Sequence, residues 1–231
     1  MPAVLITGAS RGLGFELAKQ YAVEGWRVIA CCRKPEDAIA LKKLAPSARD
    51  MLSAVAMDVA DNDTVRNAAL TLKDVVVDIL INSAGIAGVP QQSTGKIDYA
   101  SWARVLDVNT MGPLRVLEAF TDNLARSERR LVVTITSGMG SLADNTSGGS
   151  IAYRSSKAAV NMVMRSAAID LAPRGITCVL INPGWVKTDM GGPDATLSPQ
   201  QSVSAMLRLI ETLGPNDSGK FYNYDGREYP W

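Results

Sequence analysis

Short β-branched runs alternate with longer stretches of helical spacing from one end of the chain to the other, and this alternation limits the fold more than any other feature of the sequence. The runs are Ala3 to Thr7, Arg27 to Cys32, Met51 to Met57, Asp78 to Asn82, Arg130 to Thr136, Ile176 to Asn182 and a late one at Lys220 to Tyr222. Between them the spacing predicts helices over 12–24, 35–45, 61–73, 98–126, 152–172 and 198–213. Strands separated by helices are expected to run parallel, and a parallel sheet keeps its apolar strands dry only with helices on both faces. The expectation is an α/β chain: one domain over residues 1–231, with a doubly wound seven-stranded parallel sheet flanked by helices on both faces. One helix displays its inner face openly, since Val160, Val163, Met164, Ala167, Ala168 and Leu171 form a buried stripe that Pro173 and Gly175 terminate. The Gly/Ser/Asn-rich 140–150 and the segment 191–200 read as loops, and Ser127 to Arg130 as a solvated helix end.

Composition removes several function classes. Lys plus Arg (24) nearly balances Asp plus Glu (23), so no global field draws the chain to nucleic acid or to an anionic membrane. The first apolar run is too short to span a bilayer and has no basic segment before it, and a cytoplasmic protein is expected. Cys31, Cys32 and Cys178 have no metal-ligand spacing and read as core filler, so no metal is expected. There is no histidine at all, which excludes the Ser/His/Asp triad, the Cys/His dyad and the usual zinc sites.

The stretch VLITGASRGLGFELAKQYA sets Gly8, Gly12 and Gly14, with Ser10, Arg11 and Leu13 among them, between the first strand and the first helix. In that position bare backbone can approach a pyrophosphate at a positive helix N-terminus, as in a dinucleotide-binding Rossmann fold. A free 2′-hydroxyl on the adenine ribose would call for an acidic residue about 20 positions further on. The chain offers Arg33 and Lys34 there, with Arg11 in the loop itself, and cations suit a 2′-phosphate. NADP(H) is therefore expected over NAD(H), the alternative being that these are ordinary surface charges.

Without histidine, proton transfer needs another carrier. Tyr153 and Lys157, at i and i+4 of one helix, project about 40° apart and can act on one ligand. A nearby ammonium is expected to lower the phenol's pKa and make the tyrosine usable as an acid or base. Ser137 ends the apolar strand VVTIT, where its hydroxyl could polarise a substrate oxygen. Asn109 lies in a helical stretch where its side chain is mildly unfavourable, so a bound water or a helix kink is expected to compensate. In INSAG, Asn82, Ala84 and Gly85 are small enough to let a cofactor ribose pass.

Together these residues resemble the short-chain dehydrogenase/reductase family over nearly the whole chain. TGASRGLG fits its TGxxxGxG cofactor motif, Asp58 and Val59 its adenine contact, and NSAG its NNAG. Asn109, Ser137, Tyr153 and Lys157 match its catalytic set. Pro183 and Gly184 match its PG turn, and Val186 and Thr188 its nicotinamide contacts. The segments 140–159 and 221–231 look like the branch of C-factor-like and sniffer-like carbonyl reductases. That resemblance implies NADPH-dependent reduction of a small carbonyl compound, aldehyde or ketone, to an alcohol. It also implies that Lys157 holds the nicotinamide ribose, that Asn109 positions a water, and that copies pair as a homodimer or homotetramer through the 98–126 and 152–172 helices. A signalling protein that binds NAD(P) with little turnover is the alternative. Two departures matter: Ser83 replaces the second Asn of NNAG, putting a brace of the central sheet in question, and the long gap before Tyr153 leaves Ser141 as a rival to Ser137. Met139, Trp185 and Met190 are expected to give the substrate pocket apolar surface.

Overall fold

The structure, a computed structural model, describes residues 1–48 and 51–231. Its strands are β1 (Ala3–Thr7), β2 (Arg27–Cys32), β3 (Leu52–Ala56), β4 (Ile79–Asn82), β5 (Leu131–Ile135), β6 (Thr177–Asn182) and β7 (Phe221–Asn223), each within one residue of the run expected for it. All pair in parallel, in the order β3-β2-β1-β4-β5-β6-β7. The helices are α1 (Gly12–Val23), α2 (Ile39–Ala48), α3 (Asn62–Thr71), α4 (Tyr99–Leu106), α5 (Gly112–Ala125), α6 (Ile151–Asp170) and α7 (Pro199–Thr212).

Strand side chains alternate between two dry layers. Val4, Ile6, Ile79 and Ile81 point to the core shared with Leu17 of α1 and Met206 of α7. Leu5, Leu80 and Val132 point to the opposite core, with Val65 of α3, Phe120 of α5 and Met164 of α6. Both faces being covered, the central strands can be apolar throughout, which is why they read as unbroken runs. The edges are modest: β3 exposes Ser53, Ala54 and Ala56, and β7 has three residues. Cys31, Cys32 and Cys178 are buried, and burial pushes the Cys178 thiol up to about 12. No helix among the described residues is long and apolar enough to cross a membrane.

Two expectations change. The helix over 98–126 is divided: α4 runs into a π turn at Asp107–Met111 before α5 begins. Pro113 supplies part of the reason, because it has no N–H to donate to the carbonyl of Asn109 four residues back. Ser127 to Arg130 is not a solvated helix end. Ser127 is buried and donates to Asp78 at 2.5 Å, while Arg129 donates to the Ile210 carbonyl at 2.5 Å, tying the start of β5 to β4 and α7.

Helix starts follow local chemistry in α3, where Asp61 accepts from the N–H groups of Asp63 and Thr64, and in α7, where Ser198 and Gln201 form a reciprocal capping box. At α6 the pattern fails. Ser150 lies in the left-handed region (φ 45°) and its side chain caps nothing.

Phe120 is fully buried, so Phe120→Ala should cost about 3–5 kcal/mol of folding free energy. The urea midpoint should fall with an unchanged m-value.

Candidate active site

The chain crosses back at β4 after building outward through β2 and β3, so β1 and β4 flank the point where the strand order reverses, and ligands of such sheets bind outside the carboxyl ends there. The turn after β1 carries Gly8, Ser10, Arg11, Gly12, Leu13 and Gly14 onto α1. Gly8 has φ 68°, and a Cβ there would sit 2.8 Å from the Ala84 Cα; on Gly14 it would sit 2.4 Å from the Gly8 carbonyl oxygen. The glycines are thus required by close backbone approach. No side chain caps the start of α1, so its first N–H groups face the crevice as an anion cradle. That cradle, bare of Cβ atoms and positive, fits a dinucleotide pyrophosphate.

The segment after β4 forms the opposite wall. Thr7 Oγ1 accepts from the N–H groups of both Ser83 (3.0 Å) and Ala84 (3.1 Å) and so braces the two central strand ends, whatever stands at position 83. Asn82 donates to the Pro113 carbonyl at 3.3 Å, and its buried Oδ1 has no partner. A Cβ on Gly85 would lie 3.4 Å from Asn109 Oδ1 and 3.8 Å from Lys157 Nζ, so Gly85 leaves room at the lysine. After β6, Pro183, Gly184, Val186 and Thr188 return toward the glycine loop, with Thr188 Cγ2 3.7 Å from a Cβ built on Gly12.

Lys157 is 6% exposed, and its ammonium donates to the Ile135 carbonyl at 3.0 Å, leaving two N–H donors. Loss of water pushes its pKa down to about 8. Nζ lies 5.7 Å from the centre of the Tyr153 ring. The lysine-lowered phenol expected from the i, i+4 spacing is absent in the free chain. Burial raises the Tyr153 pKa, and the nearby Ser137 hydroxyl opposes that shift.

Ser137 follows β5 through Thr136, and its Oγ also accepts from the Met139 N–H at 3.1 Å. Ser141 is engaged elsewhere: its buried hydroxyl donates to the Trp231 carbonyl (3.1 Å) and accepts from the Asp144 N–H (3.0 Å). Tyr229 adds a bond to Asp144 at 2.8 Å. The first part of the 141–150 loop is thereby moored to residues near 230, whereas Gly148 and Gly149 have open space around them.

Asn109 occupies the π turn and explains the kink. Its Oδ1 accepts from the Ile86 N–H and its Nδ2 donates to the Ile86 carbonyl, both at 2.8 Å, and also to Ser156 Oγ at 3.0 Å. The wide turn brings a side chain that would otherwise compete with the helix onto the backbone of a neighbouring segment. Asp58 Oδ1 accepts from the Ala60 N–H at 3.0 Å, and Arg104 stands 3.6 Å from Oδ2; Val59 is buried beside it. Arg11 pairs with Asp189 at 2.5 Å, while Arg33 is exposed and has no ion-pair partner among the described residues. Sequence reasoning missed Thr7, Thr136, Ser156, Asn161 and Gln92. Thr136 donates to Asn161 Oδ1 at 2.7 Å, holding the strand end before Ser137 to the helix of Lys157. Thr7 opens the TGASRGLG string, but its role, like that of the others, shows only through a partner distant in the chain.

The sheet order and the glycine crevice define a Rossmann-like α/β protein. Within that class, the chain belongs to the short chain dehydrogenase family, whose model matches residues 2–196. C-signal of Myxococcus xanthus is 53% identical over 155 residues, covering 67% of this chain and 93% of that protein. The structure of NADPH-bound carbonyl reductase from chicken fatty liver superposes with a TM-score of 0.93 at 32% identity, covering 100% of this chain and 99% of that one. Carbonyl reductase Sniffer of D. melanogaster gives 0.92 at 31% identity, with full coverage of both chains. The expected kinship with both C-factor-like and sniffer-like proteins is borne out.

A lysine pKa depressed on folding means that the unfolded chain holds its proton more tightly. Its burial therefore destabilises fully below about pH 8, and the effect fades as pH rises toward the ordinary 10.5. Relative to the parent, Lys157→Met should be more favourable to stability at pH 7 than at pH 10, read from urea midpoints.

Proposed function

We propose that this chain is an NADPH-dependent carbonyl reductase, turning an aldehyde or ketone into an alcohol. The observation that carries this reading is the buried Lys157 ammonium 5.7 Å from the centre of the Tyr153 ring, on a helix that Thr136 ties to the strand end before Ser137. When bound, the nicotinamide supplies hydride to the carbonyl carbon. Tyr153 delivers the proton to the carbonyl oxygen, and burial, which raises the pKa of that phenol, favours the protonated form that reduction needs. Ser137 donates to the same oxygen and stabilises its developing charge. The two remaining N–H donors of Lys157 hold the nicotinamide ribose hydroxyls, and its charge eases loss of the tyrosine proton. Asn109 keeps the backbone near Ile86 in place and has one Oδ1 lone pair left for a water that resupplies the proton.

The glycine loop, Asn82, Ala84, Gly85, Asp58 and Val59 take the rest of the cofactor, and Pro183, Gly184, Val186 and Thr188 its carboxamide end. Arg33, without an ion-pair partner among the described residues, supports NADP(H) over NAD(H), and the NADPH-bound reductase from chicken supports the same choice. Trp185 and Met190, both exposed, and the partly buried Met139 suit an apolar carbonyl compound. Met162 and Ile169, exposed on α6, support pairing of copies along that helix as a homodimer or homotetramer. The identity with C-signal favours a second reading, a signalling protein that binds the dinucleotide with little turnover.

A panel of aldehydes, ketones and quinones followed by NADPH oxidation separates the two. Turnover that falls about 100-fold or more in Tyr153→Phe supports the reductase, and a parental rate in that variant refutes the proposed acid. Ser137→Ala should lose most activity while Ser141→Ala keeps the chemical step; the reverse ranking would reassign the hydroxyl. Arg33→Ala should weaken NADPH binding about 10-fold or more and leave NADH unchanged, by fluorescence titration.

A further inference from the structure

We propose that Gln92 is a positioning residue for the reaction, one side chain that sets both the start of the Tyr153 helix and the Ala87–Val89 segment. The inference rests on the reductase reading above. Helix α6 needs an acceptor for its first N–H groups, and Ser150, turned into the left-handed region, supplies none. Gln92 supplies it from 61 residues upstream: its Oε1 accepts from the N–H of Tyr153 itself at 2.9 Å, and its carbonyl accepts from the Ile151 N–H at 2.9 Å. The other end of the same amide donates to the carbonyls of Ala87 (2.7 Å) and Val89 (2.6 Å).

The side chain is 8% exposed, so water does not compete for these bonds. Gly88 closes over it in a left-handed conformation (φ 81°), and a Cβ there would meet Gln92 Nε2 at 3.2 Å and Val105 Cγ2 at 2.8 Å. The segment from Ile86 to Val89 is thus held at one end by Asn109 and at the other by Gln92. Both Nε2 hydrogens and one Oε1 lone pair are used, and no shorter polar side chain could reach both sets of partners. The acceptor half fixes where the Tyr153 backbone begins, and hence where its phenol points. The donor half fixes the Ala87–Val89 backbone, which continues the segment that Asn109 holds at Ile86. Gln92 touches no reacting atom, so its effect passes through Tyr153 and the Ala87–Val89 backbone.

Two variants separate the halves. Gln92→Met keeps the volume and loses every side-chain bond. Gln92→Glu keeps an acceptor for the Tyr153 N–H but turns an oxygen toward the two carbonyls. For Gln92→Met, kcat with a good carbonyl substrate should fall about 10- to 100-fold, as a small misplacement of an acid can produce. Gln92→Glu should hold kcat near the parental value and raise KM for the carbonyl compound. In both, the Kd for NADPH should stay at the parental value. Amide hydrogen exchange across Ile151–Arg154 reads the cap without turnover, and should quicken in Gln92→Met but not in Gln92→Glu. Parental kcat and KM in Gln92→Met, alongside inactive Tyr153→Phe, would overturn the proposal and leave the reductase reading intact. Unchanged exchange in Gln92→Met would overturn it on its own. Full turnover in Tyr153→Phe would instead strike the reading on which the proposal rests.

Discussion

Parallel pairing is the constraint from which the rest follows. Because all seven strands run the same way, every carboxyl end reaches one rim of the sheet, and every turn that leaves a strand there can contribute to one site. The glycine loop, the Ala84–Gly85 wall, Ser137 and the Pro183–Thr188 return occupy four such turns. Helix covering on both faces then denies water to the strand ends. That same dryness lowers the Lys157 pKa and raises that of Tyr153, so the electrostatics of the crevice are a by-product of the way the core is closed.

The central strands were legible because each is a buried apolar run with a sharp end, and the glycine loop because backbone approach leaves glycine as the one tolerable residue at Gly8 and Gly14. Tyr153 and Lys157 were legible because helical spacing alone puts them on one face. The π turn was not. One residue beyond the α-helical count slips the periodicity between α4 and α5, so a window laid across 98–126 sees one helix with an awkward Asn109 in it, and only the partner segment at Ile86 gives that asparagine a purpose. Ionisation was misread for a related reason. Spacing reports which groups are near, whereas the phenol's pKa depends on how much water the fold has removed.

The supports of the site share this opacity. Thr7 bracing the turn after β4, Asn161 holding the approach to Ser137 and Gln92 beneath Tyr153 each join segments that are distant in sequence. The groups proposed for chemistry sit in short recognisable strings, while the groups that hold them still are scattered, and even Thr7, which opens the glycine string, shows its brace only in three dimensions. Ordinary polar residues do this work because a buried amide or hydroxyl is stable only when its bonds are made, which makes each one a rigid tie.

The loop from Ser141 to Ser150 is moored at its start to residues near 230 and at its close by Arg154, which donates to Ser147 Oγ and to the Gly148 carbonyl. Ser141 and Asp144 are bonded to residues near 230, while Gly148 and Gly149 stand in open space just before the helix that carries Tyr153. Open space at Gly148 and Gly149 is not freedom to vary, because both hold left-handed backbone (φ 64° and 65°) that a side chain would strain. The approach to the Tyr153 helix, next to the mouth of the crevice, is thus fixed by conformation where it is not fixed by contact.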